Sequence, residues 1–172
     1  LETDDTGTTV ARYTAGLEMD NWIAMQRDGI TYTYHRDGMG SITGLTDPTQ
    51  NVVATYQYDV FGELSGQTGN VANPYRFTGR AYEPLSGLYY YRARFYDPLT
   101  GRFVSRDPVA GFPLFPVTHN GYVYAFNNPL AYVDPTGEFG FFTAVAIIAV
   151  GYLVGQLFIQ AAANTYEACQ VH

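Results

Sequence analysis

The sequence of 172 residues contains a single cysteine, Cys169, near its carboxyl end. One cysteine excludes an internal disulfide framework, so packing and hydrogen bonds must hold the fold. Cys169 is predicted to be a free thiol, with a disulfide between two chains as the alternative. Histidine is also scarce, and His35, His119 and His172 show no metal-ligand spacing. No metal site is therefore expected.

Charge is also in short supply. Charged residues make up 15% of the chain, against about a quarter in average proteins, and the formal net charge is −7. An acidic chain lacks the basic face that nucleic-acid binding needs, so no nucleic-acid partner is expected. The sequence also lacks a phosphate-binding loop, a G-x-S-x-G nucleophile elbow and a catalytic Cys/His pairing. These absences predict no cofactor and favour a chain that is not an enzyme.

Aromatic and turn-forming residues are abundant, with 16 Tyr, 11 Phe, 18 Gly and 9 Pro. Strand-favouring aromatic runs alternate with turns of the form Asp/Glu-Pro-x-x-Gly, and Asp28-Gly29 is typical of a hairpin turn. The pattern predicts a mainly β fold, a spiral or meander of β-hairpin repeats. Residues 65–73 are expected to form a loop. Strands are predicted at residues 10–17, 22–26, 30–34, 42–45, 52–58 and 122–126.

The end of the chain differs in composition. Residues 139–166 contain no charged side chain, which predicts one long apolar C-terminal helix, since a membrane span needs ~20 apolar residues. Gly151 and Gly155 have the G-x-x-x-G spacing that lets two helices approach closely. The sequence thus predicts a β domain over residues 1–137 and an apolar helical tail over residues 138–172. Assembly contacts are predicted on the tail at Phe141, Phe142, Ile147, Ile148, Gly151, Leu153, Gly155, Leu157 and Phe158.

Several motifs between Pro74 and Gly137 carry a family signature. They resemble the RHS-repeat-associated core domain, found at the C-terminal end of RHS and YD-repeat proteins. Residues 37–47 and 56–62 look like the YD repeats of that family, and the resemblance covers residues 30–137. The matching motifs are Tyr75-Arg76-Phe77-Thr78-Gly79-Arg80, Gly87-Leu88-Tyr89-Tyr90-Tyr91-Arg92-Ala93-Arg94-Phe95-Tyr96-Asp97-Pro98, Gly101-Arg102-Phe103-Val104-Ser105-Arg106-Asp107-Pro108 and Asp134-Pro135-Thr136-Gly137.

The resemblance implies that the core cuts its own chain just after the last D-P-x-G motif. It implies Asp107 and Asp134 as the catalytic pair and Glu138-Phe139 as the cleaved bond. Two neighbouring carboxyls can serve as acid and base on a strained peptide bond. The family has Leu where this chain has Glu138, which favours turn roles for both aspartates and predicts an uncut chain. Arg102 and Arg106 are predicted to be ion-pair partners of the turns.

Three functions fit these patterns. The first is a non-enzymatic structural protein, a processed fragment of an RHS/YD-repeat precursor. Such a fragment would self-assemble into an extracellular filament or sheath, a homopolymer built through β-edges and the tail. The second is the self-cleaving core of a secreted polymorphic toxin with a membrane-active C-terminal segment. The third is a membrane-anchored cell-surface protein. The first is favoured, with copies of the chain as partners, membrane contact through the tail left open, and a location outside the cell or at its surface.

Overall fold

Short aromatic and polar stretches separated by tight turns form antiparallel strands in a computed structural model, which describes residues 1–108 and 116–138. The described strands make two sheets, one of seven strands and one of four. They are β1 (Glu2–Thr3), β2 (Thr9–Ala15), β3 (Trp22–Arg27), β4 (Ile30–Arg36), β5 (Ile42–Thr46), β6 (Val52–Tyr58), β7 (Leu64–Thr68), β8 (Ala81–Glu83), β9 (Leu88–Tyr91), β10 (Arg94–Asp97) and β11 (Arg102–Phe103).

Strand order follows chain order in both sheets, β1 to β7 in the first and β8 to β11 in the second. Each strand therefore pairs with its predecessor through a local connection. Between β3 and β4 the pairing of Arg27 with Ile30 leaves Asp28-Gly29 as a two-residue turn, as predicted. The prediction of a mainly β meander of hairpins is confirmed.

The turns of the first sheet repeat one device. Asp37 Oδ1 accepts hydrogen bonds from the backbone N–H groups of Met39 and Ser41, both at 2.9 Å. Gly40 N–H meanwhile donates to the Asp37 carbonyl at 3.2 Å. A carboxylate that satisfies the backbone of its own turn favours the reversal over an extended chain. The same pattern recurs in the turns that begin at Asp4, Asp47 and Asp59.

Two buried clusters fill the fold. The cluster of the first sheet consists of Ala11, Met25, Tyr34, Ile42, Leu45, Ala54 and Tyr56. The cluster of the second sheet is more aromatic and consists of Phe77, Tyr89, Tyr91, Tyr96, Phe103, Tyr124 and Ala125. Two of these tyrosines tie the sheets together, because Tyr89 donates to the Gly62 carbonyl at 3.0 Å and Tyr96 to the Phe61 carbonyl at 2.7 Å.

Two local predictions are wrong. The expected loop over residues 65–73 contains most of β7, whose polar residues form an edge strand against β6, with Thr55 and Thr68 hydroxyls 2.6 Å apart. The expected strand over residues 122–126 gives way to a 3₁₀ turn, Ala125–Asn127. All three turn residues have positive φ. Burial of Tyr124 and Ala125 in the aromatic cluster decides this conformation over local strand preference.

The predicted apolar helix lies outside the described residues, as do all nine assembly positions from Phe141 to Phe158. The division of the chain at Gly137 stays a prediction. In the part of the chain that the structure describes, every helix is a short 3₁₀ turn, and the longest is Pro116–His119. Within those residues no helix has the length and apolar character needed to cross a bilayer.

Candidate functional site

Arg94 joins the two aspartates that the sequence singled out. Its Nη2 lies 2.8 Å from Asp107 Oδ2 and 3.3 Å from Asp134 Oδ2. The three side chains are buried: Arg94 is 2% exposed, Asp134 1% and Asp107 9%. Residues distant in sequence thus form one carboxylate–guanidinium–carboxylate group, called here the Arg94 triad. Charge–charge forces within this triad are strong, because water is largely excluded from it.

The Arg94 guanidinium is held on every side. Nε donates to the Gly137 carbonyl, and Nη1 donates to the Gly121 carbonyl at 2.8 Å. Its central carbon lies 3.6 Å from the centre of the Phe103 ring, a favourable cation–π contact. Burial lowers the pKa of Arg94, while Asp107 and Asp134 oppose that shift. The side chain keeps its charge, because guanidinium groups do not deprotonate in proteins.

The D-P-T-G turn presents its backbone to this arginine. Asp134 Oδ1 accepts from the Gly137 N–H at 2.8 Å, which closes the turn. Gly137 has φ of +71°, and a Cβ there would overlap the Tyr91 carbonyl oxygen. Only glycine fits, since it alone combines this backbone with so close an approach. The next residue, Glu138, has an exposed side chain, and its N–H donates to Thr136 Oγ1 at 3.3 Å.

A second charged group binds the same turn from another direction. The carbonyl of Pro135 accepts hydrogen bonds from both Arg80 and Arg92. Asp20, in the turn between β2 and β3, pairs with Arg80 at 3.1 Å and with Arg92 at 2.8 Å. The cluster of Asp20, Arg80 and Arg92 is called here the Asp20 cluster. The turn therefore lies between a triad with two carboxylates and a cluster with two guanidinium groups.

The buried hydroxyls of Thr78, Tyr91 and Tyr124 form a hydrogen-bonded group near the turn. Tyr91 donates to the Tyr124 hydroxyl at 3.0 Å, and Thr78 Oγ1 lies 2.7 Å from the Tyr91 hydroxyl. Burial raises the pKa of Tyr124 to about 12, and burial also raises the pKa of Tyr91 well above its ordinary value. These groups are therefore neutral hydrogen-bonding partners at physiological pH.

The sequence named two members of the site and missed the rest. Asp107 and Asp134 are brought together, whereas Phe139 lies outside the described residues. The ion pairs of the described turns use Arg80, Arg92 and Arg94, where Arg102 and Arg106 had been predicted. The alternation of β10, in which Arg94 and Tyr96 are buried on either side of exposed Phe95, is the signal that marks Arg94. Across the described ranges no group of three or more His, Cys, Asp or Glu could hold a metal ion.

Proteins similar in sequence include named toxins. The chain is 36% identical over 124 residues to the tRNA(Glu)-specific nuclease WapA of Bacillus subtilis subsp. natto, covering 69% of this chain and 5% of that protein. It is 31% identical over 114 residues to double-stranded DNA deaminase toxin A of Burkholderia cenocepacia, covering 63% of this chain and 8% of that protein. The chain thus spans a small part of the length of these relatives. No family model matches it.

The fold also recurs in a solved toxin structure. The chain matches the Photorhabdus luminescens Tc holotoxin pore with a TM-score of 0.66 and 21% identity, over 82% of this chain and 7% of that one. At this identity the likeness shows the fold alone.

These similarities overturn the favoured function. The prediction of a structural filament or sheath, with copies of the chain as polymer partners, is wrong, because the two relatives described above are named as a tRNA nuclease and a DNA deaminase toxin. The expectation of no nucleic-acid partner is contradicted as well, since those names specify tRNA and DNA. The charge argument considered only the residues of this chain, which span 5% and 8% of the two relatives. In a coarse sense, toxin relatives are consistent with an extracellular location, and their names suggest enzymatic activity. The shared region and fold are consistent with the resemblance to an RHS-associated toxin region.

Proposed function

We propose that this chain is the core region of a polymorphic toxin and that it releases its own C-terminal segment by cutting the Glu138-Phe139 bond. The observation that carries the proposal is the Arg94 triad, in which Asp107 and Asp134 contact one guanidinium nitrogen. The same arginine binds the Gly137 carbonyl, one residue before the bond. One side chain thus contacts both the carboxyl pair and the backbone one residue before the bond that would be cut.

The relatives support a carrier role for the matched region. Similar stretches occur in a protein named for cutting a tRNA and in one named for deaminating double-stranded DNA. These are different reactions on different substrates. The stretch that is similar in both proteins is therefore not expected to be the effector of either one. The β region would carry and release an effector, and the nucleic-acid partner would belong to the effector.

The triad has the groups that peptide hydrolysis needs. Two carboxyls in one site, one of them carrying a proton, offer both a base and an acid. The ionised carboxylate takes a proton from a solvent water, which adds to the Glu138 carbonyl carbon. The protonated carboxyl gives its proton to the Phe139 nitrogen as the C–N bond breaks. The products are a new α-carboxylic acid at Glu138 and the α-amine of Phe139, and the single proton of the pair now lies on the other carboxyl.

The structure weakens one objection to cleavage. The sequence predicted an uncut chain because Glu138, a carboxylate beside the pair, replaces the Leu of the family. The Glu138 side chain is exposed, so its charge is solvated and screened. The prediction of an uncut chain stays untested, and we propose instead that the chain is cut. The released segment would begin with the uncharged stretch 139–166, whose composition suits a membrane.

The test is the intact mass of purified full chain followed over days at pH 5 to 8. The expected product is a fragment that begins at Phe139. It should appear from the unaltered chain and be absent from the Asp134→Asn and Asp107→Asn variants. Asp97→Asn is the matched control, because Asp97 caps a D-P-x-x-G turn through the Leu99 N–H at 3.0 Å and lies outside the triad. An uncut wild-type chain would contradict the proposal. Cleavage of both aspartate variants at the wild-type rate would contradict it as well.

A further inference from the structure

We infer that Asp20, Arg80 and Arg92 are positioning residues for self-cleavage, because they fix the Pro135 carbonyl and so hold the D-P-T-G turn against the Arg94 triad. This inference rests on the proposed function and adds three residues to it. None of the three is one of the reacting groups. They would act through the backbone that carries Asp134 and Gly137.

The contacts converge on a single oxygen atom. Arg80 Nη2 and Arg92 Nη1 both donate to the Pro135 carbonyl, and Arg80 Nη2 also lies 3.5 Å from the Asp134 carbonyl. Asp20 orients both arginines. It meets Arg92 as a fork, with Nη2 to Oδ1 at 2.8 Å and Nη1 to Oδ2 at 3.3 Å. Such two-point pairing fixes the plane of a guanidinium as well as its distance.

The Asp20 cluster has one more positive charge than a balanced ion pair. The Asp20 cluster has two guanidinium groups and one carboxylate, so one positive charge is left to face the turn. Arg80 is 4% exposed, and burial lowers its pKa while Asp20 opposes the shift. A buried cation is costly without partners, and its remaining partners are the turn carbonyls and the Tyr91 ring, 4.7 Å away. The turn and the cation therefore stabilise each other.

Asp20 is itself fixed in an unusual backbone state. It has φ of +58°, in the left-handed region that non-glycine residues seldom adopt. A Cβ on Gly79 would lie 2.7 Å from the Asp20 carbonyl oxygen, so the two backbones are in close contact. The indole N–H of Trp22 donates to the Gly79 carbonyl at 2.7 Å. The β2–β3 turn of the first sheet is thus held next to Arg80, and through it next to the turn that precedes the cut.

Together the two charged groups hold consecutive parts of one turn. The Arg94 triad binds the Asp134 side chain and the Gly137 carbonyl, and the Asp20 cluster binds the Pro135 carbonyl between them. Loss of either hold would let the turn move relative to the carboxyl pair. A displacement of about 1 Å at a reacting centre can cost on the order of 100-fold in rate.

The experiment compares cleavage rate with stability in the same full-chain samples. Asp20→Asn and Arg92→Gln should release the Phe139 fragment roughly 10 to 100-fold more slowly than the wild type. Arg92→Lys keeps the charge but loses the fork, so it should recover part of the rate. Glu2→Gln is the matched control, because it removes the Arg27 ion pair at 2.6 Å from the same sheet, away from the turn. It should cleave at the wild-type rate.

The outcomes separate this inference from the proposed function. Wild-type rates in both Asp20→Asn and Arg92→Gln would overturn the positioning role and leave self-cleavage standing. The inference would also be overturned if the cleavage rate followed the melting temperature across all variants, Glu2→Gln included. A general loss of stability would produce that result. A folded Arg92→Lys variant that cleaves no faster than Arg92→Gln would contradict the idea that the charge at position 92 helps to position the turn. If the wild type releases no fragment, the proposed function fails first and this inference falls with it.

Discussion

Similar aspartate turns have different roles in two regions of the molecule. In the first sheet Asp37 and Asp59 are exposed, and one carboxylate oxygen of each accepts two backbone N–H groups. After the second sheet Asp134 closes its turn in a similar way, through the Gly137 N–H. Asp134 is buried, however, and its second oxygen contacts Arg94. A turn residue thus becomes a candidate catalytic residue when its second carboxylate oxygen contacts a buried cation.

The two regions also differ in what holds them. The first sheet is built from neighbouring strands and local turns, so each hairpin depends mainly on nearby sequence. The region around the second sheet depends on contacts between distant residues, such as Arg94 with Asp134 and Tyr96 with Phe61. The first region should tolerate single polar changes better than the second.

The largest expected effect is at Arg94. Arg94→Met would leave the carboxylates of Asp107 and Asp134 buried without their shared cation, which costs about 3–5 kcal/mol of unfolding free energy. Urea denaturation of the full chain measures it. In the first sheet Glu2→Gln breaks an ion pair whose carboxylate is 38% exposed, and surface pairs contribute at most about 1 kcal/mol. Comparable losses in the two variants would erase the contrast between the regions.

The next effect is alkaline loss of stability. An unfolded tyrosine titrates near pH 10, and burial raises the pKa of Tyr124 to about 12 in the fold. The neutral phenol therefore stabilises the fold fully below pH 10, and that contribution is lost as the pH rises from 10 to 12. The two-unit difference corresponds to roughly 2–3 kcal/mol.

Urea midpoints between pH 8 and 11.5 test this, with Tyr124→Phe as the informative variant. Its stability should fall less steeply with pH, because the group responsible is gone. Tyr122→Phe, an exposed neighbour, should keep the wild-type slope. Identical slopes in all three proteins would show that Tyr124 does not govern the alkaline transition.

The smallest effect separates the turn role of an aspartate from its charge role. Asp59→Ala removes two turn hydrogen bonds, at 2.8 and 2.9 Å, and should cost about 1–2 kcal/mol. Asp59→Asn keeps an acceptor oxygen and should cost less than about 0.5 kcal/mol. Asp134→Asn should be the more damaging amide substitution, because Arg94 loses a charged partner. Equal costs for Asp59→Asn and Asp134→Asn, measured by urea denaturation, would contradict a special role for the second oxygen.

Much of the fold was predictable because its signals are short-range. Asp28-Gly29 and the aspartate turns fix each reversal within about five residues of chain, so the meander follows from the sequence. The 3₁₀ turn at Ala125–Asn127 was not predictable in this way. Its strand-like aromatic sequence favours an extended chain, and only the burial of Tyr124 among distant rings overrides that preference.

The sequence by itself determined the hairpin order, the aspartate turns and the two aspartates worth testing, because each depends on neighbours along the chain or on motif resemblance. Only the tertiary structure decided that Asp107 and Asp134 share Arg94, and that Arg80 and Arg92 meet Asp20 around Pro135. These contacts join segments far apart in sequence, and their strength comes from the exclusion of water, which no local pattern of residues encodes.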